Sequence, residues 1–189
     1  HGVKAIYVGN PITWLSRSRT APAHSENDKA LIALLPGSRR NEIEHILPVQ
    51  LEAATQIHAR IPACFRILAA PGVDEEFLWR SCRDWQQMHH LEMDLRVVRG
   101  PIEERLPWAD CAIVKSGTST LQAMMLEVPF AMVYRMSELS YRLLRPLVRT
   151  QSFCLANLVA GQKIVPEFVQ GQANGKAIAA YLIELLSSP

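Results

Sequence analysis

The sequence predicts an α/β domain built on a doubly wound parallel sheet, and two features of its pattern indicate this fold class. Short apolar runs alternate with amphipathic segments of helical spacing along most of the 189 residues. The runs are apolar at consecutive positions rather than at alternate ones, which is typical of strands covered on both faces. Repeated strand–helix units imply right-handed crossovers and parallel strands. We therefore expect five or six strands with helices on both faces, in one domain that spans residues 1–189.

The predicted elements follow one another along the chain. Strands are predicted at 5–11, 30–37, 64–72, 95–100, 111–117 and 129–135. Helical spacing predicts helices at 40–60, 74–87, 102–110, 118–127 and 137–149, and a closing helix at about 174–188. Residues 15–29 are polar and are interpreted as a surface connection, and the stretch before the closing helix is interpreted as irregular.

Composition and charge restrict the class of function. The chain has 20 basic and 18 acidic side chains, a net charge of +2, so this balance gives no argument for a nucleic-acid partner, and none is expected. No apolar run approaches the roughly 20 residues of a membrane-spanning helix, and we expect no signal peptide. The four cysteines form no CxxC pair and are expected to be free, buried thiols in a reducing compartment. The six histidines do not cluster, so neither a metal nor a cofactor is expected.

Candidate binding residues lie where the predicted strands end, because ligands of such sheets bind at the carboxyl edge. These positions are Gly72, Gly100, Arg135 and the segments 36–39 and 115–118. Gly37 and Gly117 would let the backbone turn tightly beside a ligand, and each is followed by the start of a helix with its unpaired N–H groups. The hydroxyls of Ser38, Ser116, Thr118 and Ser119 and the guanidinium of Arg39 add donors, so the two corners together predict a diphosphate cradle. Serine, threonine and glycine are also ordinary caps and turn residues, which is the alternative interpretation of each corner alone.

Four separated segments resemble one known family. These are LIALLPGSRRNEIEHILP (31–48), KSGTSTLQAMMLEVPFAMVYRMSELSYRLLRPLV (115–148) and LANLVAGQKIVPEFVQ (155–170), with YVGNP near the start. The first three are similar, in order, to the LLPGSR-x-x-E, SGT-x-T-L, YR-[MV], NLLAG and VPE blocks in the carboxyl-terminal half of lipid-A-disaccharide synthases, and YVGNP is similar to that family's VGHP. Asn10 stands where that family has a histidine, and Gln122 stands where many members have glutamate.

The resemblance implies a Rossmann-like lobe of a two-lobed GT-B glycosyltransferase. It implies transfer from UDP-2,3-diacylglucosamine to lipid X, giving lipid A disaccharide and UDP without a metal. The donor-binding residues that it implies are Gly37, Ser38, Arg39, Ser116, Gly117, Thr118, Gln122 and Asn157. For Asn157 a simple helix cap is the alternative. The catalytic base is expected in the first lobe of the family, which no segment here matches, so the chain alone is expected to be inactive.

A basic helix face provides a second candidate surface. Arg142, Arg145 and Arg149 recur at helical spacing beside leucines, and Pro146 between them could kink the helix. Either the face is ordinary solvated surface, or it binds anionic lipid headgroups. With the family's lipid substrates, the second interpretation implies a cytoplasmic protein that is peripheral on the inner face of a Gram-negative inner membrane. A homodimer is left open.

Two other classes of function compete with the glycosyltransferase. A nucleotide-sugar epimerase-like domain would share the lobe architecture but would leave NLVAG (157–161) unexplained. A non-catalytic nucleotide-binding module would bind UDP without turnover.

Overall fold

A computed structural model describes residues 29–144 and 152–187, with a six-stranded sheet that is parallel throughout. The strands are β1 (Ala30–Leu35), β2 (Ala63–Leu68), β3 (Asp94–Val98), β4 (Cys111–Lys115), β5 (Phe130–Tyr134) and β6 (Glu167–Val169). The helices are α1 (Arg40–His58), α2 (Glu75–Met88), α3 (Ile102–Arg105), α4 (Thr118–Met125), α5 (Glu138–Leu144), α6 (Leu155–Ala160) and α7 (Gly175–Ser187). Short 3₁₀ turns follow α3 at Leu106–Trp108 and β6 at Gln170–Gln172.

The strand order is β3-β2-β1-β4-β5-β6, and helices cover both faces of the sheet. Alternate residues of β1 show the two faces. Ile32 and Leu34 belong to a buried cluster with side chains of α1, α2 and α7. Ala33 and Leu35 belong to a second cluster with α4, α6 and the 3₁₀ turn after α3. The predicted doubly wound parallel sheet is therefore confirmed.

One strand of the described sheet was not predicted. The strand expected at 5–11 and the connection expected at 15–29 fall, apart from residue 29, outside the described residues. The unpredicted strand is β6, which lies with α6 in the stretch that was interpreted as irregular. β6 has only three residues, all half-buried, and it pairs with β5, so it carries too little apolar pattern to be recognised.

The four cysteines are buried and none of them forms a disulfide, as expected. Within the described ranges, no helix is both long enough and apolar enough to cross a bilayer.

Helices α1 and α7 pack closely because α7 begins with a glycine. Asn174 caps α7 by accepting a hydrogen bond from the backbone N–H of Ala177 (2.9 Å), and the Gly175 N–H donates to the carboxylate of Glu52 in α1 (3.0 Å). A Cβ atom on Gly175 would lie 2.6 Å from the backbone nitrogen of Ala53 and 2.6 Å from the carbonyl carbon of Glu52. Because these are backbone atoms, a side chain at this position would force the two helices apart.

We therefore predict that Gly175→Ala lowers the free energy of unfolding by about 1–3 kcal/mol, the usual cost of overpacking. The measurement is urea unfolding followed by circular dichroism. Gly171→Ala is the matched control, since no heavy atom lies within 4 Å of a Cβ built there. Equal stability of the two variants would show that α1 and α7 separate without cost.

Candidate functional site

A cleft of about 1020 Å³ opens at the carboxyl edge of the sheet. Its walls are formed by the segments that follow β1, β2, β3 and β4. Strand β2 pairs with one edge of β1, whereas β4 pairs with the opposite edge of β1. The cleft therefore includes the point where the strand order reverses, which is where open α/β sheets bind ligands.

Two glycine turns bring the backbone to the reversal point. Gly37 follows β1 with a φ of +119°, and Gly117 follows β4 with a φ of +150°. Side-chain-bearing residues rarely adopt such values, so both turns need glycine. A Cβ atom on Gly37 would also lie only 2.8 Å from a carboxylate oxygen of Glu42.

The helices that leave these two turns have no side-chain caps. Neither Arg39 before α1 nor Gly117 before α4 makes a side-chain capping hydrogen bond. In contrast, Asp74 caps α2 by accepting from the N–H groups of Glu76 and Phe77. The first-turn N–H groups of α1 and α4 thus offer donors and the positive end of a helix dipole to an anionic ligand.

A cluster of three charges lies beside the turns. One oxygen of Glu42, Oε1, accepts from Arg39 Nη1 at 3.2 Å and from Lys115 Nζ at 3.0 Å. Burial raises the pKa of Glu42, but the hydrogen bond and charge of Lys115, the Ser38 backbone N–H and the charge of Arg39 lower it more, so the pKa lies below its ordinary value. The carboxylate is therefore ionised at neutral pH, and two cations and one carboxylate leave the cluster with a net charge of +1.

The hydroxyl groups of the β4–α4 turn serve different purposes. Ser116 donates to the carbonyl of Phe153 (2.6 Å), and Thr120 donates to the carbonyl of Gly117 (2.7 Å). A hydroxyl has a single hydrogen to donate, so Ser116 fixes the turn rather than donating to a ligand. Thr118 is exposed at the cleft, and Ser119 also lines it.

Six of the eight donor-binding residues that the family resemblance implies line the cleft together. They are Gly37, Ser38, Ser116, Gly117, Thr118 and Gln122. The side chain of Arg39 is 81 % exposed and joins the cleft through its ion pair with Glu42, which is part of the wall.

Asn157 lies elsewhere, and both of its predicted positions are corrected. It is 3 % exposed inside α6, whose N-cap is Cys154, and it is not among the residues that line the cleft. Its amide nitrogen donates to the Val165 carbonyl and to Glu167 Oε1, both at 2.8 Å. Its amide oxygen accepts from the N–H groups of Ile164 and Val165, both at 2.9 Å. These four bonds use the whole hydrogen-bonding capacity of the amide, so Asn157 holds α6 to the segment that becomes β6.

Glu167 connects this amide to the cleft. Its carboxylate accepts from Asn157, from the Ser152 hydroxyl and from the Phe153 N–H (2.9 Å). Burial raises the pKa of Glu167, but these hydrogen bonds bring it below its ordinary value. Phe153 is the residue whose carbonyl accepts from Ser116, so a chain of hydrogen bonds runs from β6 to the β4–α4 turn.

Sequence reasoning missed the contact between Glu42 and Lys115, which both line the cleft. Lys115 was a candidate position at the end of a predicted strand, but neither residue was assigned to donor binding. Each had a visible signal in the sequence. Glu42 falls three residues after Arg39 in the first turn of α1, and Lys115 immediately precedes the Ser116–Gly117 turn. Their contact joins residues 73 positions apart, which local pattern does not reveal.

The strand order, the reversal point and the two uncapped helix starts define a Rossmann-like α/β domain with a ligand cleft at its switch point. The family model described as lipid-A-disaccharide synthetase matches residues 1–189, and the chain belongs to that family. This agrees with the family resemblance drawn from the motifs.

Individual relatives show how much of the family the chain covers. The lipid-A-disaccharide synthase of Anaeromyxobacter sp. (strain K) is 37 % identical over 193 residues, covering 98 % of this chain and 49 % of that protein. The lipid-A-disaccharide synthase of Syntrophus aciditrophicus (strain SB) is 34 % identical over 198 residues, covering 100 % of this chain and 50 % of that protein. The chain thus spans about half the length of the curated relatives it matches.

Among solved structures, the chain is similar to Methanocaldococcus jannaschii UDP-GlcNAc 2-epimerase, determined in complex with UDP-GlcNAc and UDP. The TM-score is 0.52 at 11 % identity, covering 86 % of this chain and 40 % of that one. At this identity the likeness shows the fold.

We predict that Glu167→Gln destabilises the protein by about 1–2 kcal/mol at pH 7, because it weakens the charge-assisted hydrogen bonds to Ser152, Asn157 and Phe153. The folded-state pKa of Glu167 lies below its ordinary value of 4.5, so its contribution to stability is present above that pH and is lost as the pH falls through the folded-state pKa. The difference between variant and wild type should accordingly shrink below about pH 4.5. Chemical unfolding at several pH values tests this, with the exposed Glu104→Gln as control. A stability difference that stays constant across this pH range would show that the charge of Glu167 does not strengthen these hydrogen bonds.

Proposed function

We propose that the chain is the donor-binding lobe of a GT-B glycosyltransferase that joins UDP-2,3-diacylglucosamine to lipid X, forming lipid A disaccharide and releasing UDP. One observation carries the proposal. The two glycine turns and the two uncapped helix starts meet at the switch point of the sheet, beside a charge cluster with a net charge of +1. This arrangement suits a diphosphate, and membership of the lipid-A-disaccharide synthetase family supports its assignment to UDP.

The cleft has room for the whole nucleotide. Its anion-binding features lie at the ends of β1 and β4. The end of β2 and the segments after β2 and β3 contribute the charged residues Asp74, Glu75, Arg99 and Glu103 and also five larger apolar side chains. The apolar side chains are those of Leu68, Pro71, Val73, Pro101 and Ile102. We place the phosphates at the glycine turns and the nucleoside along the apolar side, because a base has two apolar faces and phosphates need donors and positive charge.

The proposed chemistry of this lobe is stabilisation of the leaving group. As the acceptor hydroxyl attacks the anomeric carbon, the bond to the diphosphate breaks and negative charge grows on the departing phosphate oxygen. Donors already aimed at that position stabilise the charge without reorganising. The N–H groups at the starts of α1 and α4, with the guanidinium of Arg39, fill this role.

The acceptor site and the general base are assigned to the half of the family sequence that this chain does not span. No described residue is proposed as the base, so the chain by itself is not expected to form the disaccharide. The epimerase-like alternative is less well supported, because the family match covers residues 1–189 whereas the epimerase likeness is one of fold.

We predict that Arg39→Ala weakens UDP binding about tenfold, the value of one charge-assisted hydrogen bond to phosphate in a largely exposed setting. Isothermal titration of UDP into the 189-residue chain provides the measurement. Arg40→Ala is the matched control, because Arg40 pairs with Glu44 (3.0 Å) and lies over the Phe77 ring at 4.5 Å. If the wild-type chain does not bind UDP, the donor cleft is wrong, and if Arg39→Ala binds as well as wild type, only the role of Arg39 is wrong.

We also propose that α5 contacts the inner-membrane surface from the cytoplasmic side. Leu139 and Leu143 lie one helical turn apart and are 72 % and 68 % exposed. Arg142 beside them is 77 % exposed and pairs with Glu138 at 3.1 Å. Arg145 and Arg149, the other members of the predicted basic face, lie outside the described residues, as does Pro146. Exposed leucines beside basic residues favour an interfacial helix, and the pairing of Arg142 gives the leucines a larger share of the binding than a basic face alone implies.

Replacing Arg142, Arg145 and Arg149 by glutamine should reduce binding to anionic vesicles by roughly two orders of magnitude at low salt, at about 1 kcal/mol per basic residue. High salt should remove most of this difference, because it screens exposed charges. Leu139→Ser with Leu143→Ser should reduce binding at both salt concentrations. Cosedimentation is the assay, and glutamine at the exposed Arg80, Arg83 and Lys176 is the charge-matched control. If the control variant lost as much vesicle binding, net charge alone would explain the effect, and a contact through α5 would be contradicted.

A further inference from the structure

Lys115 occupies the space between the two glycine turns. It is the last residue of β4, its side chain is 20 % exposed, and it is part of the cleft wall. A Cβ atom built on Gly37 would lie 3.7 Å from its Cδ, and one built on Gly117 would lie 3.8 Å from its Nζ. The side chain therefore passes the first turn, and its ammonium lies beside the second.

The ammonium of Lys115 has donor capacity left for a ligand. It can donate three hydrogen bonds, and within the described part of the chain it makes one, to Glu42 Oε1 at 3.0 Å. That oxygen also accepts from Arg39. Glu42 thus fixes where the ammonium lies while using only one of its three hydrogens.

We propose that Lys115 is a phosphate-binding residue of the donor cleft and that Glu42 is the positioning residue that holds its ammonium between the glycine turns. The proposal rests on the proposed function, in which the cleft receives the diphosphate of a nucleoside diphosphate. A purely structural ion pair is the competing explanation. The two differ in what they predict for ligands with and without phosphates, because a structural pair would support all ligands of the cleft equally.

The first test compares UDP with uridine. Lys115→Met should weaken UDP binding to the 189-residue chain by roughly 10- to 100-fold, as expected for loss of a hydrogen bond to a charged group, and should leave uridine binding unchanged. Lys115→Arg keeps the charge and should recover part of the UDP affinity. Titration calorimetry measures UDP, ligand-observed NMR measures uridine, and thermal unfolding verifies that each variant is folded. Lys176→Met on α7 is the matched control and should bind both ligands as wild type does.

A second test separates contact from net charge. Glu42→Gln alone raises the cluster from +1 to +2, and adding Lys115→Met returns it to the wild-type value of +1 while leaving no unpaired carboxylate. Direct contact predicts that the double variant binds UDP at least tenfold more weakly than wild type. Wild-type affinity in the double variant would show that only the net field matters and would overturn the assignment.

The outcomes distinguish this proposal from the proposed function. Absence of UDP binding by the wild-type chain contradicts the donor cleft itself. UDP binding that is equal in wild type and Lys115→Met contradicts only the role of Lys115. Equal weakening of UDP and uridine by Lys115→Met would make the ion pair structural and would likewise overturn it.

Discussion

The parallel register between β1 and β4 is the constraint on which the cleft depends. Leu35 is aligned with Val114, so the next residues of the two strands reach the sheet edge at the same height. Gly37 and Gly117 therefore turn side by side, and the helices that follow start from neighbouring points. A slip of one residue would move the buried side chains of β4 to the opposite face, so core packing fixes the register and, through it, the geometry of the cleft.

The far edge of the sheet is held by other means. β6 is too short for its ladder with β5 to secure it, and the buried amide of Asn157 and the carboxylate of Glu167 supply the missing bonds. Glu167 also accepts from the Phe153 N–H, and the Phe153 carbonyl accepts from Ser116. The same hydrogen bonds that hold β6 therefore also hold the β4–α4 turn. Stability at the edge and geometry at the cleft are thus linked through the backbone of a single residue.

Features that depend on local sequence were predicted correctly, whereas features that depend on contacts between residues distant in the sequence were not. Strands β1 to β5 were recognisable because burial on both faces makes each one apolar throughout, a property of the segment itself. The glycine turns were recognisable because their backbone conformation restricts a single position. Asn157 was misplaced because its partners lie up to ten residues further along the chain and meet it only once β6 joins the sheet. The contact between Lys115 and Glu42 was missed for the same reason at longer range, since only the assembled sheet brings β4 beside the start of α1.

A carboxylate in a cleft proposed for an anion needs a physical explanation. Without Glu42, Arg39 and Lys115 would repel each other, and their long side chains would point away into solvent. Glu42 lowers the net charge of the cluster, which weakens long-range attraction for a diphosphate, but it holds both cations on one oxygen beside the glycine turns. Charges that are already in place stabilise a developing negative charge without the cost of reorganisation, so the loss of attraction is offset by placement. The arrangement therefore favours a site suited to the charge of a departing diphosphate over one that merely attracts anions.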